Sequence, residues 1–337
     1  MSTNRQWLYE VLSHKDGTAV PYNFMFSPLA TQFVADYLGT DDINEALNLP
    51  IRMSACNTIK PLYANPKEYG RTITDEFGVT WTTSRIDRGS PVGPSLKQPS
   101  LDGFDMPQPA EEYRFRGLGR WCENNSKNFT IVWVGDLWER ATFMRGMQDL
   151  LLDLSLNRSF VEKLLGGIAN YILATMEILF SRFSFDAIAL SDDYGTQQGM
   201  IMSPDTWRGL IKPLLLKIYA FARANNRAVF HHSCGNIRPI IGDMIEVGLD
   251  ILHPIQPEAM DIFELKQQFG RDLTFCGGLN TQQLLPKATP QEIRHAVRQL
   301  KHRMGSGGGY ILEPGITVQA DVPLENIVAM IEEAQST

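Results

Sequence analysis

One histidine and one cysteine are spaced in a way that suits metal chemistry. His232 and Cys234 lie two residues apart, just after the apolar run Ala228-Val229-Phe230. In an extended segment, side chains two residues apart project to the same side. Imidazole nitrogen and thiolate sulfur are preferred ligands of Zn²⁺, and a catalytic zinc needs three protein ligands and an open position. The pair therefore predicts a zinc site; the alternative is a buried thiol beside a hydrogen-bonded core imidazole.

The third metal ligand is left open by this spacing. Cys276 supplies a second thiolate and Glu313 a carboxylate, each from another apolar run, and His253 and Glu258 are further candidates. Glu313 is slightly favoured over Cys276, because an apolar strand followed by a Pro-Gly turn is an awkward place for an unpaired carboxylate.

A second group of polar residues suits acid–base work and substrate binding. Asp192 and Asp193 follow the apolar run 186–190 and could act as a general base, support a metal ligand or accept a substrate hydroxyl. Tyr194, Gln197 and Gln256 are candidates for hydrogen bonds to a polar ligand.

These residues share one position relative to the predicted elements. From residue 158 onward, short apolar strands alternate with amphipathic helices, which is typical of a parallel sheet covered by helices. The five predicted strands are 186–190, 228–230, 250–252, 273–275 and 309–312. Because no strand is followed by a Gly-x-Gly-x-x-Gly sequence that opens a helix, a closed (β/α)8 TIM barrel is favoured over an open dinucleotide-binding sheet. The active site of such a barrel lies at the carboxyl ends of its strands, where the candidate residues are found.

The first half of the chain is less regular. Residues 20–26 and 129–134 are predicted as further barrel strands, 71–83 as a hairpin and 87–110 as a loop. We therefore expect all 337 residues to form a single α/β barrel domain, with an irregular hairpin and loop insertion at about 56–110.

Composition and charge disfavour several classes of protein. The 31 basic and 38 acidic residues give a net charge of −7 without a basic run, so nucleic-acid binding is not expected. The longest apolar run, 168–180, is interrupted by Asn170 and Glu177, so we expect no membrane-spanning segment. Residues 1–5 contain no apolar signal core, and four cysteines do not make a disulfide framework in a chain of this length. We therefore expect a cytoplasmic enzyme.

Four segments of the second half resemble the uroporphyrinogen decarboxylase-like superfamily, and more closely its corrinoid-dependent methyltransferase branch. The resemblance covers roughly residues 158–335 well and the first half loosely. The segments are Asp192-Asp193-Tyr194-Gly195-Thr196-Gln197, His232-Ser233-Cys234-Gly235-Asn236, Ile255-Gln256-Pro257-Glu258-Ala259-Met260-Asp261 and Pro323-Leu324-Glu325-Asn326.

The resemblance implies a TIM barrel whose mouth receives a cobalamin carried by a separate corrinoid protein. In the zinc methyltransferases of this branch, the His-x-Cys pair supplies two metal ligands, which match His232 and Cys234. Their third ligand is a cysteine in a Pro-Gly-Cys turn, and here that turn ends in Ile316. Either Glu313 or Cys276 replaces it, or the metal is weakly held or missing. The departure also argues against a methylcobalamin:thiol methyltransferase of the coenzyme M type.

The start of the barrel argues against porphyrinogen decarboxylation. True uroporphyrinogen decarboxylases carry an arginine-rich segment at the end of the first strand, whereas residues 23–28 are largely apolar here. A substrate with many carboxylates needs fixed cations. Phe24 in this segment is a candidate for an aromatic pocket wall, with core packing as the alternative.

The function expected from these observations is a corrinoid-dependent methyltransferase. It would move a methyl group between a small methylated compound, with a methoxylated aromatic as the first candidate, and the cobalamin of the partner protein. Zn²⁺ would assist at His232 and Cys234, and Asp193, together with Asp192, would orient or protonate the leaving group. The alternatives are a metal-free decarboxylase or lyase of the same fold and a non-catalytic subunit that docks a corrinoid protein. A homodimer is compatible with the sequence.

Overall fold

Parallel strands arranged as a barrel form the centre of the protein. The structure is a computed structural model and describes residues 3–336. Seven parallel strands pair in the order β1-β5-β6-β7-β8-β9-β10. Their bounds are Ile51–Ala55 (β1), Phe129–Gly135 (β5), Ala187–Ser191 (β6), Ala228–His232 (β7), Ile251–Ile255 (β8), Thr274–Leu279 (β9) and Tyr310–Pro314 (β10).

The segment at residues 21–26 occupies the eighth strand position. It runs parallel to β10 through a bridge between Tyr22 and Leu312, and a second parallel bridge joins Phe26 to Val318, beyond the end of β10. Within residues 3–336 no bridge joins this segment to β1, so the ladder is open at that one edge. The prediction of an α/β TIM-like barrel is confirmed.

Helices cover the outside of the sheet, and capping residues in the sequence explain where several of them begin. Two helices, for example, begin after the N-cap residues Ser27 and Ser203, each followed by proline at the first helical position. The helix predicted from Pro204 to about Asn225 is two helices, because Pro213 lacks the N–H needed to continue the first one. The helices are Asn4–Leu12 (α1), Pro28–Leu38 (α2), Ile43–Ala46 (α3), Pro66–Tyr69 (α4), Leu118–Asn124 (α5), Trp138–Arg145 (α6), Met147–Leu156 (α7), Arg158–Arg182 (α8), Pro204–Leu210 (α9), Lys212–Ala224 (α10), Ile241–Glu246 (α11), Ile262–Phe269 (α12), Leu284–Lys287 (α13), Pro290–Gly305 (α14) and Leu324–Gln335 (α15), with short 3-10 turns at Glu112–Phe115 and Arg238–Ile240.

The insertion contains a small antiparallel sheet of its own. The predicted hairpin is present as Thr72–Thr74 (β2) and Thr80–Thr82 (β3). A third strand, Pro91–Gly93 (β4), pairs with β3. Assigning 87–110 entirely to loop was therefore wrong, and the prediction also missed β1, whose polar Arg52 and Ser54 conceal an apolar strand pattern.

Strand alternation fills the lower barrel with apolar side chains. Phe129, Ala187, Phe230 and Ile251 pack together inside the barrel, as expected for inward positions on parallel strands. Helix α1 closes the amino-terminal end of the barrel by adding its own buried apolar side chains to this cluster. The interior becomes polar only toward the carboxyl ends of the strands.

Helix α8 is long and apolar enough to cross a membrane, by length and composition alone. Half of its most apolar window is buried inside the protein, however, and it packs against β5, α6, α7 and α10. Burial of this kind is typical of a core helix in a globular protein.

Candidate metal centre at the barrel mouth

Three donor atoms converge at the carboxyl end of β7. His232 is the last residue of β7, Cys234 follows two residues later, and Asp193 comes two residues after the end of β6. His232 Nε2 lies 3.5 Å from Cys234 Sγ and 3.6 Å from Asp193 Oδ1. We call these three residues the outer triad. All three are partly exposed, so their donor atoms face the barrel mouth rather than a closed interior.

Two loops pack closely to form the outer triad. Asp193 Oδ1 accepts a hydrogen bond from the Cys234 backbone N–H at 2.7 Å. Gly235, with a φ of 81°, packs on Gly195 so closely that a Cβ would lie 2.5 Å from the Gly195 carbonyl carbon. Glycine is needed for both the left-handed backbone and this close approach. Gln256 Oε1 then accepts the Gly235 N–H at 2.6 Å, which holds the turn after β7 in place.

The outer triad has the chemistry and spacing of a zinc site. For tetrahedral zinc with bonds of about 2.0–2.3 Å, ligand atoms lie roughly 3.3–3.8 Å apart, and both distances from His232 Nε2 fall in this range. Burial raises the pKa of Cys234 to about 12, and the negative charges of Asp193 and Glu139 add to the rise. The thiol therefore stays protonated beside these carboxylates unless a cation stabilises the thiolate. The residues fit a divalent cation, with Asp193 in the position of third donor.

A second group of donors lies deeper in the barrel. His253 on β8, Cys276 on β9 and Glu313 on β10 are all buried, and we call them the inner triad. Cys276 Sγ donates to Glu313 Oε2 at 3.0 Å, and His253 Nε2 is 3.8 Å from the same oxygen. Asn23 Nδ2 donates to the other Glu313 oxygen at 3.1 Å. Burial raises the pKa of Glu313 to about 7, although these hydrogen bonds oppose the rise.

The inner triad separates two of the four predicted metal ligands from the other two. Glu313 and Cys276 were candidates for the third ligand beside His232 and Cys234, but the structure groups them with His253 instead. Ile316, at the position where the family's third cysteine would stand, is exposed. The two triads meet at one contact, because His232 Nδ1 and His253 Nδ1 are 2.9 Å apart.

Asp192 and Tyr194 do not face the barrel mouth. The Asp192 carboxylate accepts hydrogen bonds from the backbone N–H groups of Leu137 and Glu139 at the start of α6, and from Tyr194 Oη at 3.0 Å. Both side chains are fully buried, and the Tyr194 ring stacks on His231. These bonds use both groups to join β6 to α6, and the catalytic role of Asp192 and the substrate-binding role of Tyr194 stay predictions.

The other predicted substrate-binding residues are also dispersed. Phe24 is buried against Tyr22 and Phe26, which agrees with the core-packing alternative. Gln256 is buried and bonded to the turns at Gly235 and Gly315, so its role in this structure is loop positioning. Gln197 is exposed on the loop after β6 and remains a candidate contact.

Sequence reasoning missed a carboxyl group beside the outer triad. Glu139, in the first turn of α6, is buried and accepts a hydrogen bond from Ser191 Oγ at 3.0 Å. Burial raises the pKa of Glu139 to about 7, and the charges of Asp136 and Asp193 add to the rise. Arg88 reaches in from the insertion and lies 3.6 Å from Glu139. The rule used for the other strands, polar residues just after a strand end, would have identified Glu139 after β5.

Fold and site together define a (β/α)8 barrel with a candidate metal centre at the carboxyl ends of its strands. Residues 115–337 match the family model described as uroporphyrinogen decarboxylase (URO-D). The chain belongs to the uroporphyrinogen decarboxylase family, as its resemblance to that superfamily predicted.

Similar proteins point to the methyltransferases within this family. The chain is 27% identical over 146 residues to the methylcobamide:CoM methyltransferase MtaA of Methanosarcina barkeri, and 25% identical over 146 residues to the protein of that name from strain Fusaro. Each match covers 43% of this chain and 40% of the relative, so the chain spans about two fifths of the length of these curated relatives. A solved methyltransferase from Methanosarcina mazei superposes with a TM-score of 0.75 at 16% identity, covering 99% of this chain and 98% of that one, and supports the fold.

Proposed function

We propose that the protein is a corrinoid-dependent methyltransferase. It would transfer a methyl group between a small methylated compound and a cobalamin held by a separate corrinoid protein in the cytoplasm. The observation that carries this proposal is the outer triad, in which a thiol, an imidazole and a carboxylate meet at the barrel mouth. Family membership and the match to two methylcobamide methyltransferases support it.

His232, Cys234 and Asp193 would hold zinc in this proposal. Bound zinc would supply a Lewis acid that stabilises charge on a departing oxygen or on a substrate thiolate. Asp193 would also orient the polar atom of the substrate, since its carboxylate faces the partly open mouth. Glu139 is suited to supply a proton, because a carboxyl group with a pKa of about 7 is partly protonated at neutral pH.

A methoxylated aromatic is the substrate we propose first. Transfer of the methyl group breaks the O–CH3 bond and releases an aryloxide, whose negative charge a Lewis acid or a proton donor would stabilise. The coenzyme M named for the matched relatives is a second candidate as methyl acceptor. The missing third cysteine argues against it, because Ile316 provides no metal ligand.

Metal content and methyl transfer test the proposal together. Protein purified without chelators should contain about one zinc per chain, and one methylated compound in a panel should change the absorbance of a Co(I) corrinoid when the enzyme is present. Cys234→Ser should lose both zinc and transfer. Cys276→Ser is the matched control, because a serine hydroxyl can still donate to Glu313.

The rival functions give different results in the same experiment. A metal-free wild-type protein that releases CO₂ from a carboxylated substrate would be a decarboxylase of the same fold. Full methyl transfer by a complex of the Cys234→Ser variant with its corrinoid protein would mean that the chain only docks the corrinoid protein.

A further inference from the structure

The two triads are joined through a pair of imidazole rings. His232 directs Nε2 toward the outer triad and His253 directs Nε2 toward the inner triad. Their Nδ1 atoms face each other at 2.9 Å, a hydrogen-bond distance. The pairing is set by the sheet, because His232 and His253 are opposite each other in the register of β7 and β8.

Only one proton fits between the two Nδ1 atoms, and it couples the protonation of both rings. In a neutral imidazole one nitrogen carries hydrogen and the other is an acceptor. If His232 donates from Nδ1, its Nε2 is free to bind a cation, and His253 must carry its own hydrogen on Nε2. If His253 donates instead, His232 carries hydrogen on Nε2 and cannot bind a cation there.

The surroundings favour the first arrangement. His253 Nε2 lies 3.8 Å from a buried carboxylate oxygen of Glu313, and an N–H facing a carboxylate is attractive where a lone pair would be repelled. His253 Nε2 has no hydrogen-bond partner among the described residues, so this carboxylate is the charge that acts on it. Low dielectric strengthens this preference, since His253 and Glu313 are 1% and 2% exposed.

We infer that His253 is a positioning residue for the outer triad. It accepts a hydrogen bond from His232 Nδ1–H and thereby keeps His232 Nε2 unprotonated and oriented for a cation. The same shared proton prevents the inner triad from holding a second cation while the outer triad is filled. This inference rests on the proposed function, because it assumes that the outer triad is the metal site.

The test is zinc affinity, measured by competition with a chelating indicator in the full-length protein. His253→Leu removes the acceptor nitrogen and fills its place with an apolar side chain of moderate size. His253→Asn keeps an acceptor oxygen near the position of Nδ1. Loss of a hydrogen-bond partner of a metal-bound histidine typically costs about 10–100-fold in affinity, so we expect that loss for His253→Leu and recovery of most of it for His253→Asn.

A spectroscopic measurement separates this role from a purely structural one. In zinc-loaded protein with ¹⁵N-labelled histidine, long-range ¹H–¹⁵N correlations should show His232 protonated on Nδ1 and His253 on Nε2. The reverse assignment would overturn the inference. Cys276→Ser should leave both the tautomers and the zinc affinity unchanged.

Other outcomes would also decide the question. Two zinc ions per wild-type chain, falling to one in Cys276→Ser, would make the inner triad an independent metal site and overturn the inference. Equal loss in folded His253→Leu and His253→Asn, or no loss in either, would overturn it as well. If Cys234→Ser abolishes zinc binding while His253→Leu binds zinc as tightly as wild type, the proposed function stands and only the inference fails. A wild-type protein that binds no zinc contradicts both.

Discussion

The protonation of individual side chains at the barrel mouth is set by burial and by neighbouring charges. Cys234 is held as a thiol by burial and by the nearby carboxylates, and Glu139 is held near neutrality for the same two reasons. A divalent cation reverses the first effect, because it stabilises the thiolate. The carboxylates around Cys234 and Glu139 therefore favour binding of a cation at this site and disfavour an additional negative charge.

Stability of the metal-free protein should depend on pH through Glu139. Its pKa rises from 4.5 to about 7 on folding, so between these values the folded state binds more protons and stability falls as pH increases. Glu139→Gln cannot ionise and still accepts from Ser191. At pH 8 we therefore expect it to be more stable than wild type by roughly 1–3 kcal/mol, with no gain at pH 4.

Urea unfolding of the metal-free protein at several pH values measures this difference. Glu123→Gln, at an exposed position on α5, is the control and should give no pH-dependent gain. A Glu139→Gln curve that runs parallel to wild type from pH 4 to 8 would contradict the assignment.

At the scale of elements, the two adjacent aspartates after β6 contact different parts of the protein. Asp192 lies under the start of α6 and bonds backbone N–H groups that have no partner within the helix. Asp193, the next residue, points to the mouth and belongs to the outer triad, with Oδ1 3.6 Å from His232 Nε2. The alternation of side chains at the end of β6 sends one carboxylate into the protein and the other to the site.

Substitution of Asp192 should therefore lower stability, whereas substitution of Asp193 should lower zinc affinity. Asp192→Ala leaves several buried donors unpaired, so we expect a loss of roughly 2–4 kcal/mol in unfolding free energy, and Asp192→Asn should lose less because it keeps one acceptor oxygen. Asp193→Ala should unfold almost as wild type but bind zinc more weakly. Equal destabilisation by Asp192→Ala and Asp193→Ala in thermal unfolding would show that this division is wrong.

Across the whole molecule, the barrel has a closed amino-terminal end and an opposite end that carries the candidate metal centre. Asp186, just before β6, is buried and ties the closing helix α1 to the sheet. Its carboxylate accepts from Arg5 Nε at 2.7 Å, from Tyr9 Oη at 2.8 Å, and from the backbone and side chain of Thr130 at 2.9 Å each. These bonds join α1, β5 and β6 at the end opposite the candidate site.

Removing this network should weaken the fold without touching the metal centre. Asp186→Ala leaves buried partners unpaired, and we expect it to cost roughly 3–5 kcal/mol of unfolding free energy. Arg5→Ala removes one half-exposed partner and should cost about 1 kcal/mol. Zinc content of the folded fraction should stay at the wild-type level in both variants; a loss of zinc would mean that the two ends are coupled.

Much of the barrel could be predicted because its elements repeat strongly. From residue 158 onward the apolar strands and amphipathic helices alternate regularly, and every strand predicted in this part of the chain is present. β1 was missed because it is short and half polar, so only pairing with β5 stabilises it as a strand. β4 was missed for a related reason, since an exposed three-residue strand has no hydrophobic pattern of its own.

The sequence by itself determined that His232 and Cys234 project together at a strand end, because a spacing of two on an extended chain has only one outcome. It could not determine how deep each strand places its side chains along the barrel. That depth depends on the stagger between neighbouring strands, a property of the closed sheet. Only the tertiary structure therefore placed Cys276 and Glu313 in a separate buried triad, brought Asp193 to the candidate metal centre and turned Asp192 inward to α6.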